Sequence, residues 1–143
     1  MAECALRYIR EETAGPDTFE FLSNCIQFVD KTDYLNAVYP IQFGFGLASI
    51  LGFGPGGSYD ASEKLIFTLD KGFVSGTTQA AMNETDSAYL NKIITAEINT
   101  SSELQIPAAA LKNIFQSMLL YFRYHFPETA ALKSPEILHL LME

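Results

Sequence analysis

PAAALKNIFQSMLLYFRYHFP, residues 107–127, carries the most regular pattern in the chain. Leu111, Ile114, Phe115, Met118, Leu119 and Phe122 recur every three or four residues, the spacing that lines up side chains on one side of a helix. Pro107 suits a first helical position, because its ring fixes φ and an N–H there would have no partner within the helix. Pro127 cannot continue the hydrogen-bond ladder. A stripe this long has to be covered by other apolar elements, which makes a mainly α fold the first expectation.

The segments upstream supply such elements. Tyr34 to Leu51 is apolar nearly all round, which predicts a central helix closed by Gly52 in a left-handed cap. Pro40, Gly44 and Gly46 lower its propensity, so burial has to compensate or the helix has to kink near Pro40. Earlier, Ala2 to Glu12 places Ala5, Leu6 and Ile9 at helical spacing before Gly15-Pro16 ends the run. Asp17 is read as the cap of a second helix, with Phe21, Cys25, Phe28 and Val29 on its inner face until the polar run from Asp30 to Asp33.

Downstream of the central helix the period changes. From Lys64 to Ser75, Leu65, Phe67 and Leu69 alternate with Ile66, Thr68 and Asp70 before Lys71-Gly72 permits a reversal, so a short β-hairpin is predicted. Residues 76–84 read as a loop. Tyr89, Leu90, Ile93 and Ile94 predict a helix over Asp86 to Glu97. After Pro127, Ser134 is read as a cap, with Pro135 and Glu136 in the first turn of a last helix that turns Leu138, Leu141 and Met142 inward.

Composition limits the rest. The 143 residues are 48% hydrophobic, with 11 Phe, 7 Tyr and no Trp, enough for one ring-rich core and not for two. A single domain over residues 1–143 is expected, with the hairpin inserted near 64–75. Nine Lys plus Arg stand against seventeen Asp plus Glu, a net charge of −8, so general attraction to a nucleic-acid backbone is weak. The first residues mix charges into their apolar positions and no stretch reaches membrane-spanning length, so a soluble, cytoplasmic protein is expected.

Cys4 and Cys25 are too few for a disulfide framework and have no close His or Cys with which to bind zinc. No metal or other cofactor is expected. Gly52-Phe53-Gly54-Pro55-Gly56-Gly57 satisfies G-x-G-x-x-G, but it follows a helix and leads into a hairpin, the wrong context for a dinucleotide loop. His125 and His139 are the only histidines, no nucleophile elbow accompanies them, and the carboxylates lie singly on solvent faces. An enzyme would need a pocket joining one of these histidines to carboxylates, and a non-enzymatic chain is the expectation.

Helical counting separates the two cations in YFRYHF, residues 121–126. At about 100° per residue Arg123 falls beside Lys112 and Gln116, whereas His125 lies roughly 160° away, on the side of Ile114 and Met118. His125 is therefore assigned a structural place. Arg123 and Lys112 share a face with Leu120 and Tyr124 farther round on the wet side, and exposed apolar groups beside cations suit a peptide with an acidic, aromatic end. A solvated basic edge that offsets local acidity explains the same residues.

At YFRYHFPETAALKSPEILHLL the chain resembles the C-terminal helical domain of the RecO family of DNA repair proteins, in its zinc-free Bacteroidetes-type form. AECALRYIREE looks like the helix that follows the family's barrel, FEFLSNCIQFVD like the next, FGLASILGFGP like the central helix, and LIFTLDKGFVS like the following hairpin. The resemblance implies a non-enzymatic recombination mediator that acts in DNA recombination and the repair of DNA damage. Its implied partners are RecR and the acidic, Phe-terminated tail of single-stranded DNA-binding protein. By motif, Arg123, Lys133 and Ser134 match family positions, whereas contacts by Lys112, Leu120 and Tyr124 are inferred from the surface alone.

The family's N-terminal oligonucleotide-binding barrel and its four-cysteine zinc module have no counterpart in the residues. The chain is expected to be a fragment or truncated homologue that binds DNA only weakly. The resulting expectation is a mainly α, bundle-like domain of about six helices with a β-hairpin insertion, docking partner proteins. A structural or oligomerising helical domain is the alternative, and an exposed apolar patch without cations would favour it.

Overall fold

The computed structural model describes residues 1–9, 14–57, 62, 65–76 and 80–127, with the backbone alone at 99, 101 and 102. Five α-helices are described: α1 (Ala2–Tyr8), α2 (Pro16–Lys31), α3 (Tyr39–Ile50), α4 (Glu84–Thr95) and α5 (Ala108–His125). Strands β1 (Ile66–Thr68) and β2 (Gly72–Val74) lie between α3 and α4, and a 3-10 helix (Ile98–Glu103) joins α4 to α5. The mainly α class with a hairpin insertion is thus the observed one, and the helix expected from Ser134 lies outside the described residues.

Helix α3 is the hub, packed against α2, α4 and α5. Eight of its twelve residues are buried, including Tyr39, Ile41, Phe43, Phe45 and Leu47, as its apolar composition requires. Its two internal glycines mark close approaches on opposite sides. A Cβ on Gly44 would overlap Met118 Sδ of α5, and one on Gly46 would come within 2.8 Å of the Phe21 ring of α2. The central helix therefore gives up propensity where its neighbours come nearest.

Its end is a Schellman cap. Gly52 has φ 85°, its N–H donates to Ser49 O at 3.1 Å, and the N–H of Phe53 donates to Ala48 O at 2.9 Å. The start differs from expectation. Pro40 stands in the first turn of α3, where its fixed φ fits, so of the two alternatives it is burial that compensates. Residues 34–38 precede the helix, and Asn36 Oδ1 accepts from the N–H groups of Val38 and Tyr39 at 3.0 and 3.1 Å.

Two further expectations are corrected. Asp17 does not cap α2: Gly15 holds that place in extended backbone, Pro16 is the first helical residue, and Asp17 lies inside the first turn. Leu6 does not face the core, being 83% exposed, and α1 instead buries Cys4 and Tyr8. The inner face of α2 is as expected at Cys25, which is buried, and at Phe21, which packs against the core. Phe28 and Val29 are half-buried, Phe28 lying 4.9 Å from the Tyr39 ring, and Leu22 packs against the core unforeseen. Helix α4 starts two residues earlier than expected, capped by Asn83 Oδ1, which accepts from Asp86 N at 2.7 Å.

The hairpin pairs Phe67 with Phe73 and Thr68 with Gly72, and Gly72 takes the reversal at φ 79°. Its outer edge is not left open: Phe67 O accepts from Ala81 N at 2.8 Å, and Phe67 N donates to Ser87 Oγ of α4 at 2.9 Å. Phe67, fully buried, joins a cluster of rings with Phe45, Phe73 and Tyr121 at centroid distances of 5.4–5.7 Å. Face and edge contacts at these distances add to plain area burial.

Candidate functional site

The buried stripe of α5 comprises Ala110, Leu111, Ile114, Ser117, Met118, Tyr121 and Phe122. The opposite arc faces solvent. On it lie Lys112, Asn113, Gln116, Leu120, Arg123 and Tyr124, all exposed, with Leu120 at 52% and Tyr124 at 54%. A helix that buries one stripe in this way has to project its remaining residues outward, so four of the six residues singled out from the sequence share one surface. Lys133 and Ser134 lie outside the described residues.

Geometry divides the two cations of this surface. Eleven residues rotate Arg123 only about 20° from Lys112 but move it about 16 Å along the axis. They cannot hold the same carboxylate. Arg123 has Leu120 and Tyr124 next to it on adjoining rows of the helix, and Lys112 lies three turns away. Among the described residues neither is seen in a salt bridge, unlike Arg7, which pairs with Glu3 at 3.3 Å.

His125 is half-buried on the other side. Its Nε2 lies 3.0 Å from Leu69 O, and since a carbonyl only accepts, that nitrogen carries the proton. The ring sits 4.4 Å from Tyr121, 5.3 Å from Phe53 and 5.2 Å from Tyr124, centroid to centroid. His125 thus ties the end of α5 to the hairpin and supports one side of Tyr124. Tyr121 is held as well, its hydroxyl donating to Phe53 O, with burial pushing its pKa up to about 12.

The other chemical candidates are absorbed by packing. Gly56 O accepts from Phe73 N at 3.0 Å, and a Cβ on Gly57 would press on Phe73 O, so these glycines seat the loop on β2. Burial pushes the Cys4 thiol up to about 11 and raises that of Cys25 as well, the reverse of what a nucleophile or metal ligand needs. Among the described residues no group of three His, Cys, Asp or Glu could hold a metal ion. No described helix is long and apolar enough to cross a membrane.

Sequence reading missed Gln42, a single polar residue inside the apolar run of α3. Its Nε2 donates to Ile93 O at 3.0 Å and Ala96 O at 3.1 Å, satisfying carbonyls at the end of α4 that have no partner within their helix. The sole signal was its isolation among apolar neighbours.

In comparisons with known proteins, the model of a family described as "Recombination protein O C terminal" matches residues 1–136. No curated protein and no solved structure matches the chain.

Proposed function

The chain belongs to the Recombination protein O C-terminal family, which places it in DNA recombination and repair, and on that premise we propose that it is a non-enzymatic docking module of a RecO-type mediator. Its ligand is the acidic, Phe-terminated tail of single-stranded DNA-binding protein, with RecR as a further partner. The observation that carries this reading is the outer arc of α5, where Arg123 stands beside the exposed Leu120 and Tyr124. Arg123 pairs a tail carboxylate, and the two apolar neighbours hold the terminal ring. Lys112, about 16 Å away, meets an acidic residue upstream in an extended tail, roughly five residues of chain.

Lys133 and Ser134 join this site through the family motif alone. The proposal takes residues 1–143 as one domain working in the cytoplasm. Direct DNA binding is weak in it, since the net charge is −8.

Titration of an acidic, Phe-terminated peptide tests the site. Arg123→Ala is expected to weaken binding several-fold, Leu120→Ser to do the same, and Lys112→Ala to have a smaller effect, with all affinities falling as salt rises. Equal affinity in wild type and Arg123→Ala, or no binding by either, sinks the reading.

One observation favours a structural or oligomerising role instead. Phe19 and Ile26 on α2 are 76% and 67% exposed, and residues 14–30 contain no Lys or Arg. Concentration-dependent self-association in sedimentation that is lost in Phe19→Ser, without any peptide binding, would select that role.

A further inference from the structure

Charge is divided between the two longest described helices. Residues 14–30, nearly the whole of α2, carry Asp17, Glu20 and Asp30 and no Lys or Arg, and α2 reaches a cation only at its last residue, Lys31. Helix α5 is the reverse, with Lys112 and Arg123 and no Asp or Glu. Asp17, Glu20, Asp30, Lys112 and Arg123 are all exposed, and none is seen in a salt bridge among the described residues. Each face also leaves a ring and an aliphatic side chain in water beside its charges, Phe19 and Ile26 on α2 and Tyr124 and Leu120 on α5.

The spacing of the charges agrees as well. Glu20 and Asp30 are ten residues apart in sequence, about 15 Å along α2, against about 16 Å between Arg123 and Lys112 along α5. Phe19, Ile26 and Asp30 fall within about 40° of one another around α2, so the apolar pair and an acid form one row. On α5, Leu120 and Tyr124 adjoin Arg123 in the same way. The two faces therefore match in sign, in length and in the placing of their rings.

We propose that these faces bind each other between copies of this chain, α2 of one copy lying antiparallel along α5 of the next. Arg123 then meets Glu20, Lys112 meets Asp30, and Phe19 packs against Leu120 and Tyr124. Pairing of α2 with its own copy would set acids against acids, and the same acids repel the phosphates of a nucleic acid or a lipid surface. The position of the faces fixes the kind of assembly. Helix α2 packs on the Gly46 side of α3 and α5 on the Gly44 side, about 200° apart around that helix, so their outer faces point away from each other. A closed two-fold pair cannot use both contacts, and association runs head to tail, adding copies as concentration rises. Exposed ion pairs and a few apolar groups make it weak. The contact occupies Arg123 but does not depend on the tail peptide.

Complementation between two variants of the full chain tests this pairing in sedimentation equilibrium, with circular dichroism melts to show that each is folded. Wild type is expected to gain mass progressively up to millimolar protein, and less so as salt rises. Arg123→Glu keeps only the α2 face intact, and the double variant Phe19→Ser with Glu20→Ala keeps only the α5 face. Each alone should associate at least tenfold more weakly than wild type. Mixed in equal amounts, they should form a one-to-one pair with near wild-type affinity and stop there, because each supplies one intact face. A wild type that stays monomeric, an Arg123→Glu variant that associates as wild type does, or a mixture that stays monomeric would each overturn the proposal. No peptide enters these measurements, so their failure is distinguishable from failure of the peptide titration.

Discussion

Gly44 shows how one residue can carry opposite signs in local and tertiary structure. Replacing a mid-helix glycine by alanine stabilises a helix by about 0.5–1 kcal/mol through backbone entropy. Here the added Cβ overlaps Met118 Sδ in a buried contact, and overpacking of this kind costs about 1–3 kcal/mol. Gly44→Ala is therefore expected to be less stable than wild type in urea unfolding, by up to about 2.5 kcal/mol once the two effects are combined. Gly46→Ala meets only the end of the half-buried Phe21 ring, at 2.8 Å, which can swing aside, and should cost less. Both glycines were legible in the sequence as weak helix formers compensated by burial. Which neighbour approaches each one was not, because that depends on how α2 and α5 cross α3. Gln42 was illegible for the same reason: its partners, Ile93 O and Ala96 O, are some fifty residues away.

Elements here are joined at their ends and edges by single polar contacts. Ser87, wholly buried, accepts from Phe67 N at 2.9 Å and donates to Asn83 O at 2.7 Å. It therefore links the first turn of α4 to β1. Ser87→Ala leaves the Phe67 amide buried without an acceptor, a loss of about 1–3 kcal/mol. The expected signature is a lower urea midpoint together with faster hydrogen exchange at Phe67 than at Ile114 in the middle of α5. Equal exchange changes at both amides would show global destabilisation and no specific joint. Periodicity sufficed to find α5 and the hairpin, since both bury one face and water selects the pattern. It failed at the start of α3, where Tyr34, Leu35, Ala37 and Val38 continue the apolar composition but Pro40 and the Asn36 turn set the boundary. It failed again at Leu6, an apolar residue at helical spacing that is largely exposed. The Arg123 face was found by the same helical counting, because the exposed arc of α5 is simply the complement of its buried stripe.

At the scale of the whole molecule, acidity and ring burial act together in alkali. The folded chain keeps protons that the unfolded chain gives up: Cys4 is moved from 9.0 to about 11 and Tyr121 from 10.0 to about 12, in each case by burial. Tyr39 is raised too, by burial first and then by its hydrogen bond with Cys25. Between the unfolded and folded values the unfolded state binds fewer protons, so the slope of stability against pH is negative. Stability is full below about pH 9, begins to fall as unfolded cysteine and then tyrosine ionise, and is lost progressively up to the folded values. The existing charge of −8 grows more negative over the same range, and self-repulsion lowers stability in the same direction. Thermal melts at constant ionic strength from pH 7 to 11.5 are expected to be flat to about pH 9 and then to decline. Tyr121→Phe, although less stable overall for want of the bond to Phe53 O, should decline less steeply above pH 10, and Cys4→Ala less steeply between pH 9 and 11. Parallel declines in wild type and both variants would assign the alkaline loss to net charge alone, and would show that the buried thiol and phenol do not hold their protons.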